Sequence, residues 1–289
     1  MPRTGNKWDQ RIERARELAA DYPYSTQILL FYAKLTAFQK DSYLQFQSSC
    51  SFGNGRCSAL PSRLDEVDLA LLLTRSSPFL SMIASEAPGS LAEFARGLQA
   101  HGPSSWTALL RESWPGDSPP ESGDHSSTRQ NQPDAQPEQN PFERFCAQTF
   151  LQPYAEFLAD RAHRPEPPLR RPACPYCGSP PLVGVLRQEG DGAKRSLVCS
   201  WCRSEWDYLR LACPACEERD EKRLCVYTTE AFPHMRVEAC DTCRSSLTTI
   251  DLTRNGLAVP EVDELAALPL ALWTQQNGYR KVSPNFIGL

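Results

Sequence analysis

The sequence predicts an α+β protein of several domains: an α-helical N-terminal domain, then two small metal-binding ribbons in tandem, then a C-terminal helix. Three observations predict this order. Apolar residues recur at helical spacing through the first half, four Cys-x-x-Cys pairs fall within about seventy residues, and an apolar helical segment follows them. A chain of 289 residues with 40% hydrophobic content is long enough to bury the cores of two or three domains.

The cysteine pairs have the spacing of metal-binding knuckles, tight turns that each direct two thiolates at one ion. About twenty residues separate the first pair from the second and the third from the fourth, whereas the middle gap is only about ten. This rhythm predicts two consecutive four-thiolate sites, each made of two knuckles joined by a β-hairpin. The predicted ligands are Cys174, Cys177, Cys199 and Cys202 in the first site, and Cys213, Cys216, Cys240 and Cys243 in the second.

Disulfides and redox-active dithiols are the alternative uses of such pairs. Disulfides require an oxidising compartment, and the first 23 residues lack the apolar core of a secretory signal. A thioredoxin-like motif has one Cys-x-x-Cys that opens a helix after a strand, rather than four pairs at ribbon spacing. We therefore expect metal-bound thiolates in a protein of the reducing cytoplasm.

The spacing does not distinguish iron from zinc. Four sulfurs in tetrahedral geometry suit Zn²⁺ and equally a single iron of the rubredoxin kind, so the ribbons are predicted as rubredoxin-like or zinc-ribbon modules with two metal ions. In the first knuckle Gly178 follows the second cysteine, where the turn requires a positive φ. The third knuckle has Glu217 at the corresponding position.

The N-terminal half is predicted to form a series of amphipathic helices. They are expected over residues 8–22, 25–46, 64–74, 77–87, 90–100, 104–114 and 141–163. Pro23 is expected to end the first, Ser62 or Asp65 to open the third, and Ser77 to cap the fourth. Pro153 is expected to kink or split the last.

Two segments are predicted to lack a packed core. Residues 115–140 are rich in Pro, Ser, Gly, Asp, Glu and Gln, so we expect a flexible surface insertion there. Residues 164–172 form a stiff, proline-rich connector. The predicted domains are therefore 1–163 (helical), 173–212 (first ribbon) and 213–289 (second ribbon with the C-terminal helix).

Short apolar runs predict the strands of the ribbons. The first hairpin is expected over residues 182–186 and 194–198, the second over 224–228 and 235–238, and a further strand over 248–252. Residues 259–276 are predicted to form one terminal helix that packs across the ribbons.

Several motifs in the second half resemble the FdhE family of formate dehydrogenase accessory proteins. They are Cys174-Pro-Tyr-Cys177-Gly178-Ser179, Cys199-Ser-Trp-Cys202-Arg-Ser-Glu205-Trp206, Cys213-Pro-Ala-Cys216, Glu238-Ala-Cys240-Asp241-Thr-Cys243, Ala271-Leu-Trp273, Gly278-Tyr-Arg-Lys and Pro284-Asn285. The upstream stretch Phe150-Leu-Gln-Pro153-Tyr154-Ala155 is also similar. The strong resemblance covers about half of the chain, whereas the helical half is similar by arrangement more than by motif.

The resemblance implies a cytoplasmic maturation factor that is not an enzyme, with a helical N-terminal domain and two rubredoxin-like domains. The implied partner is the catalytic subunit of a respiratory molybdenum or tungsten formate dehydrogenase, bound before that subunit is exported through the twin-arginine route. In this role the protein recognises the immature subunit and checks or transfers redox state at its cofactor or iron–sulfur cluster. Structural metal ions and a redox-active iron are both compatible with the role.

Four residues near the knuckles are candidates for contact with the partner. Trp201 lies within the second knuckle and is expected to be exposed, which makes it the better anchor. Glu205 and Trp206 follow that knuckle, and Trp206 is expected chiefly to pack over the thiolates. Asp241 lies within the fourth knuckle and is expected to cap its turn by accepting a backbone N–H.

The other histidine and cysteine residues near these motifs are interpreted as structural. His234 precedes the fourth knuckle, but each site already has four sulfurs, so we expect an exposed or hydrogen-bonded imidazole. Cys146 is predicted to be a small buried side chain, and Cys225 a strand residue in the core. Cys50 and Cys57 flank a glycine-rich loop and could pair on oxidation, but we expect free thiols.

Composition and motifs argue against three competing classes. A nucleic-acid-binding ribbon needs a positive surface, but the chain from Cys174 onward has 13 Lys and Arg against 15 Asp and Glu. A standalone rubredoxin-type electron carrier does not need a bulky helical domain. The sequence has no nucleophile elbow, phosphate-binding glycine loop or His-Glu-x-x-His motif, so no enzyme chemistry is predicted. No run of apolar residues approaches the eighteen or so of a membrane span.

Overall fold

The fold is a mixed α/β arrangement with a helical N-terminal region and a sheet in the C-terminal region. The computed structural model describes residues 6–49, 60–61, 63–115, 140–162, 170–285 and 288. The predicted insertion at 115–140 and the connector at 164–172 fall mainly outside these ranges, and Cys50, Cys57 and Ser62 fall outside them too.

The chain divides into two compact units, Met1–Leu60 with Gln152–Leu289, and Pro61–Leu151. The predicted domain limits stay a prediction. The boundaries of the two units fall at other positions, after Leu60 and after Leu151. The first unit combines N-terminal helices with all of the cysteine-rich region.

Two long helices open the first unit, α1 (Lys7–Asp21) and α2 (Thr26–Ser49). The Asn6 side chain caps α1, because its Oδ1 accepts the N–H groups of Trp8 and Asp9 at 3.0 Å each. Pro23 follows the end of α1, as predicted. The apolar stripe of α1 joins α2 and a later helix in one core, whose most buried members are Ala15, Leu18, Leu29, Val262, Leu265 and Ala266.

The second unit is helical. It contains α3 (Glu66–Leu73), α4 (Ser76–Glu86), α5 (Gly89–His101), α6 (Pro103–Ser113) and the first part of α7 (Pro141–Arg161). Asp65 opens α3 through a capping box with Asp68, as one of the two predicted openers. Ser77 does not cap α4, because the helix starts one residue earlier. Pro78 is tolerated there, since the first turn has no intrahelical acceptor for its missing N–H.

Helix α7 continues through Pro153 from Pro141 to Arg161, so the predicted split does not occur. Cys146 lies in the first part of α7 and is fully buried, as predicted. Its burial raises the pKa of the thiol to about 12.

Among the described residues of the first unit, seven strands form one sheet. The strands are β1 (Pro181–Glu189), β2 (Gly192–Cys199), β3 (Glu205–Asp207), β4 (Leu224–Thr228), β5 (Met235–Cys240), β6 (Ser245–Asp251) and β7 (Arg280–Lys281). Their order is β3-β2-β1-β6-β5-β4, and β7 pairs with the beginning of β6. The antiparallel hairpins β1–β2 and β4–β5 and the further strand β6 were all predicted.

The strands of the two predicted ribbons belong to one sheet. Strands β1 and β6 run parallel side by side, with Gly184 opposite Thr249 and Val185 opposite Ile250. This approach requires glycine at 184, because a Cβ there would lie 2.3 Å from Thr249 Oγ1. One sheet therefore holds both pairs of knuckles in fixed relation.

The predicted terminal helix is two helices, α8 (Pro260–Ala266) and α9 (Leu268–Gln276). Pro269 explains the break at Ala267, since proline inside a continuous helix removes a hydrogen bond and clashes with the preceding turn. Ala258 and Ala267, on either side of α8, share an apolar cluster with Val185, Met235 and Ile250 of the sheet.

Among the described helices, none alone combines the length and the apolar content that a membrane span requires. Helices α3 and α4 reach those values only when they are taken together, across a 45° bend.

Candidate metal centres

The four knuckles share one backbone conformation. The residue after the second cysteine has a positive φ in each: 74° at Gly178, 57° at Arg203, 58° at Glu217 and 57° at Arg244. In three of them the N–H of this residue donates to the carbonyl of the first cysteine, at 2.8 to 3.0 Å. The sequence indicated a positive φ only at Gly178. The other three knuckles have a positive φ at Arg203, Glu217 and Arg244, residue types for which this conformation is strained.

Backbone N–H groups within the turns point at the sulfurs. The Sγ atom of the first cysteine accepts from the residue two positions later, at 3.5 Å in the first knuckle, 3.3 Å in the second and 3.4 Å in the third. Hydrogen bonds of this kind stabilise a thiolate over a thiol. The turns are therefore shaped for anionic sulfur.

The eight predicted ligands lie in two groups of four. In each group, the four Sγ atoms all lie within 4.8 Å of one another. The sulfur–sulfur distances are 3.6 Å for Cys174–Cys202, 3.3 Å for Cys177–Cys199, and 3.7 Å for both Cys213–Cys243 and Cys216–Cys240. Four sulfurs bound about 2.3 Å from a common centre would be about 3.8 Å apart. Both groups therefore fit one tetrahedral ion of the size of zinc or iron.

The two clusters differ in their exposure to solvent. In the first, Cys174, Cys199 and Cys202 are buried, and the aromatic rings of Tyr176 and Trp201 within its knuckles are buried as well. In the second, Cys216 is exposed and Cys243 is half-buried. The corresponding positions within its knuckles are the small residues Ala215 and Thr242, both exposed. The second cluster is therefore the accessible one.

In each cluster, hydrogen bonds lower the pKa of one cysteine. Hydrogen bonds from the other three thiols hold the pKa of Cys177 well below its ordinary value. Against the effect of burial, hydrogen bonds from Ser245 and neighbouring thiols lower the pKa of Cys243, whereas burial raises that of Cys213 to about 11. Each cluster thus favours at least one thiolate, the form in which cysteine binds metal.

Trp201 is not exposed, contrary to the expectation from its place in a knuckle. Only 6% of its surface is accessible, the same fraction as for Trp206. Trp206 is buried as expected, and its Nε1–H donates to the carbonyl of Arg171 at 2.8 Å. Glu205 stays on the surface, where Arg187 holds its carboxylate through two hydrogen bonds of 2.9 and 2.7 Å.

Asp241 does not cap its turn through a backbone N–H as expected, because its hydrogen-bond donors among the described residues are all side chains. Its Oδ1 accepts from the Tyr279 hydroxyl at 2.6 Å and from Arg244 Nη1 at 2.9 Å. These bonds lower the pKa of Asp241. The Sγ atom of Cys225 lies 3.5 Å from Oδ2 of Asp241. Cys225 is half-buried on the edge strand β4, whereas the sequence predicted a core position. The fourth knuckle is thereby tied to the C-terminal segment.

His234 is buried and hydrogen-bonded rather than a ligand of either cluster. Its Nε2 lies 2.9 Å from Asp263 Oδ1. Asp263 also binds Arg14, a contact between residues far apart in the sequence that no local pattern indicated.

Comparisons with known proteins agree with this arrangement. Residues 173–210 match the family model described as FdhE, central domain. A "Protein FdhE homolog" from Aquifex aeolicus is 33% identical over 147 residues, which are 50% of this chain and 52% of that protein. Another from Pectobacterium carotovorum is 26% identical over 96% of this chain and 86% of its own length.

The fold is similar to the crystal structure of the FdhE protein from Pseudomonas aeruginosa. The TM-score is 0.65 over 99% of this chain and 98% of that chain, at 22% identity. Among curated relatives, the match spans only about half of the Aquifex protein and 40% of the P. aeruginosa homolog. The structural likeness therefore concerns the fold alone.

The fold and the two clusters define a mixed α/β protein in which one helix-backed sheet holds two four-cysteine sites suited to metal. The resemblance to the FdhE family that the motifs indicated is confirmed, and residues 173–210 match the model of its central domain.

Proposed function

We propose that this protein is a cytoplasmic maturation factor for a respiratory formate dehydrogenase, that it binds the immature catalytic subunit, and that it is not itself an enzyme. One observation carries the proposal: two complete four-cysteine clusters occur on the FdhE fold, the first within the matched FdhE central domain. The motif resemblance supplies the identity of the partner.

The eight knuckle cysteines are the proposed ligands of two metal ions, iron or zinc, in rubredoxin-like or zinc-ribbon coordination. Support comes from the sulfur–sulfur distances and from the N–H groups aimed at the sulfurs. Bound zinc contributes folding free energy, about 10–16 kcal/mol in zinc-finger peptides, whereas iron adds one-electron redox chemistry. The chain's own contribution is to hold four thiolates in place and to leave the second set open to a partner.

Four residues near the knuckles were predicted to contact the subunit. Glu205 and Asp241 retain accessible carboxylates and stay proposed contacts. Trp201 and Trp206 are each only 6% exposed, which favours a role for the two rings in supporting the fold.

The decisive experiment replaces each cysteine quartet by serine in the native host. We expect either replacement to abolish both formate dehydrogenase activity and co-purification of the immature catalytic subunit. The matched control is Cys146→Ala, which changes a buried cysteine outside the clusters. Intact activity and intact subunit binding in both quartet variants would overturn the proposal.

Metal analysis of protein purified anaerobically from its host distinguishes bound iron from bound zinc. Two irons per chain, with a thiolate-to-ferric absorption that bleaches on reduction, would support a redox step during maturation. Two zincs and a colourless solution would support a scaffold that acts by docking. Substantially fewer than two metals per chain would contradict the two-site assignment.

A further inference from the structure

The two outer edges of the sheet differ in their protection. Strand β3 at one edge has three residues and carries Glu205 and Asp207, each paired with a cation. Strand β4 at the other edge has five residues, Leu224–Thr228, and none is charged. Edge strands are normally kept short, charged or covered, because their unpaired backbone groups accept further strands. Strand β4 lacks the charges that protect β3.

Val226 presents its backbone groups at this open edge. It lies opposite Glu238 in the β4–β5 register, and the N–H of Asp241 donates to the carbonyl of Arg223 at 2.9 Å. Antiparallel pairs alternate between hydrogen-bonded and non-hydrogen-bonded, so the Arg223–Asp241 bond puts Val226 in a non-hydrogen-bonded pair. Its N–H and C=O therefore point away from β5, to a side on which no described strand lies.

A cavity of about 190 Å³ lies beside the same edge. Its apolar lining includes Leu211, Pro214, Leu224, Val226 and Leu247, of which Leu211 and Val226 are more than half exposed. A cavity of about 150 Å³ is large enough for a benzene ring. The space therefore suits one large apolar side chain of an added strand.

The polar lining of the cavity is positive. It contains the guanidinium groups of Arg195, Arg210 and Arg236 against the single carboxylate of Glu238. Arg195 is 98% buried, and its Nη2 donates to Glu238 at 2.5 Å, but its Nε–H has no partner among the described residues. A buried N–H without an acceptor costs about 1–3 kcal/mol. An incoming carboxylate would meet a positively charged lining.

We propose that β4 and this cavity bind an extended segment of the immature client subunit by strand addition. Backbone bonds to Val226 hold the segment, one apolar side chain fills the cavity, and an Asp or Glu two positions away faces the arginines, since alternate residues of a strand share a face. Cys213 and Cys240 also line the cavity, so the bound segment lies against the second cluster. The identity of the client rests on the proposed function, whereas the binding mode rests on this edge.

The test uses overlapping 15-residue peptides that span the catalytic subunit, with the full metal-loaded chain as the binding partner. Val226→Pro removes the outward N–H without removing a bond to β5, and proline is tolerated on edge strands. Val226→Thr keeps the N–H and the branched shape, and is the matched control. We expect the binding peptides to share an apolar residue and an acidic residue two positions apart. We expect Val226→Pro to weaken their binding at least about tenfold, equivalent to 1.4 kcal/mol.

Hydrogen–deuterium exchange on the unsubstituted chain provides a test that does not depend on how the variants fold. A bound peptide should slow amide exchange in β4 and leave β3 unchanged. Unchanged exchange in β4, or equal affinity of Val226→Pro and Val226→Thr for the intact subunit, would overturn strand addition while leaving the proposed function standing. Failure of the unsubstituted chain to bind either the subunit or its peptides would overturn both.

Discussion

Arg14 of α1 binds Asp263 of α8 through two hydrogen bonds, with Nη2–Oδ1 at 2.5 Å and Nε–Oδ2 at 2.9 Å. Asp263 is completely buried, and it also accepts the N–H of Val259 at 2.8 Å and contacts His234 next to β5. One carboxylate therefore connects the N-terminal helix, the sheet and the C-terminal helix of the first unit. Removing one member of a buried ion pair is strongly destabilising, because it leaves the other charge buried without a partner.

Asp263→Asn is expected to lower the free energy of unfolding by about 3 kcal/mol, because it leaves the Arg14 guanidinium beside a neutral amide in the protein interior. Urea unfolding of the metal-loaded protein at pH 7 measures the change. The control is Glu66→Gln, which breaks an ion pair with Arg111 on the surface and should cost less than about 1 kcal/mol. Equal losses in the two variants would contradict the assigned role of Asp263.

The same carboxylate predicts a loss of stability in acid. Despite its burial, hydrogen bonds from Arg14 and His234 hold the pKa of Asp263 below its ordinary value. A lowered pKa in the folded state means that the contribution is complete above the unfolded value of about 3.9 and is lost as the pH falls through the folded value. The stability difference between the unsubstituted protein and Asp263→Asn should therefore shrink below about pH 4.

Urea unfolding midpoints between pH 7 and pH 3 check this expectation. Acid also protonates the thiolates and releases metal from both proteins, so the two curves are compared by their difference. A difference that stays constant down to pH 3 would show that Asp263 does not titrate as inferred.

Gly184→Ala is expected to destabilise the sheet by about 1–3 kcal/mol, because the new methyl group would lie 2.3 Å from Thr249 Oγ1. Thr249→Ala removes that oxygen, which is buried without a partner among the described residues and is therefore cheap to lose. The double variant should recover a large part of the loss. A double-mutant cycle in urea measures the coupling, and additive losses would place the strain elsewhere.

Glu217→Gly is expected to stabilise the third knuckle. A left-handed conformation costs an ordinary residue about 1–2 kcal/mol, of which the greater freedom of glycine in the unfolded chain returns about half. A gain of up to about 1 kcal/mol should appear in thermal unfolding of the metal-loaded protein. Ala215→Gly in the same turn lacks this strain and should destabilise, so a loss of stability in both variants would argue against the strain at Glu217.

The local parts of this structure could be predicted from the sequence, and the long-range parts could not. The knuckles, the hairpins and most helices follow from spacing, periodicity and proline positions within a few residues of each feature. The joining of the ribbons depends on Gly184 meeting Thr249, and the tie at Asp241 depends on Tyr279; both are distant in sequence. The break in the terminal helix could have been predicted from Pro269. The apolar residues on both sides of Pro269 favoured one continuous helix instead.

Trp201 shows the limit of local reasoning at the site itself. A residue within a short turn is usually exposed, and its burial depends on what packs over the turn, which spacing does not reveal. The same limit applies to the contrast between the clusters. Their spacings are nearly identical, yet one set of sulfurs is enclosed and the other is open.

That contrast predicts the order in which the two metals are lost. Cys216 is exposed and Cys243 half-buried, so a chelator reaches the second site directly, whereas the first site has three buried sulfurs and must open locally. We expect two phases of metal release to a coloured chelator, the faster from the second site. Cys216→Ser should abolish the fast phase, and its matched partner Cys177→Ser should abolish the slow one. A single phase of release, or a fast phase that survives Cys216→Ser, would contradict this order.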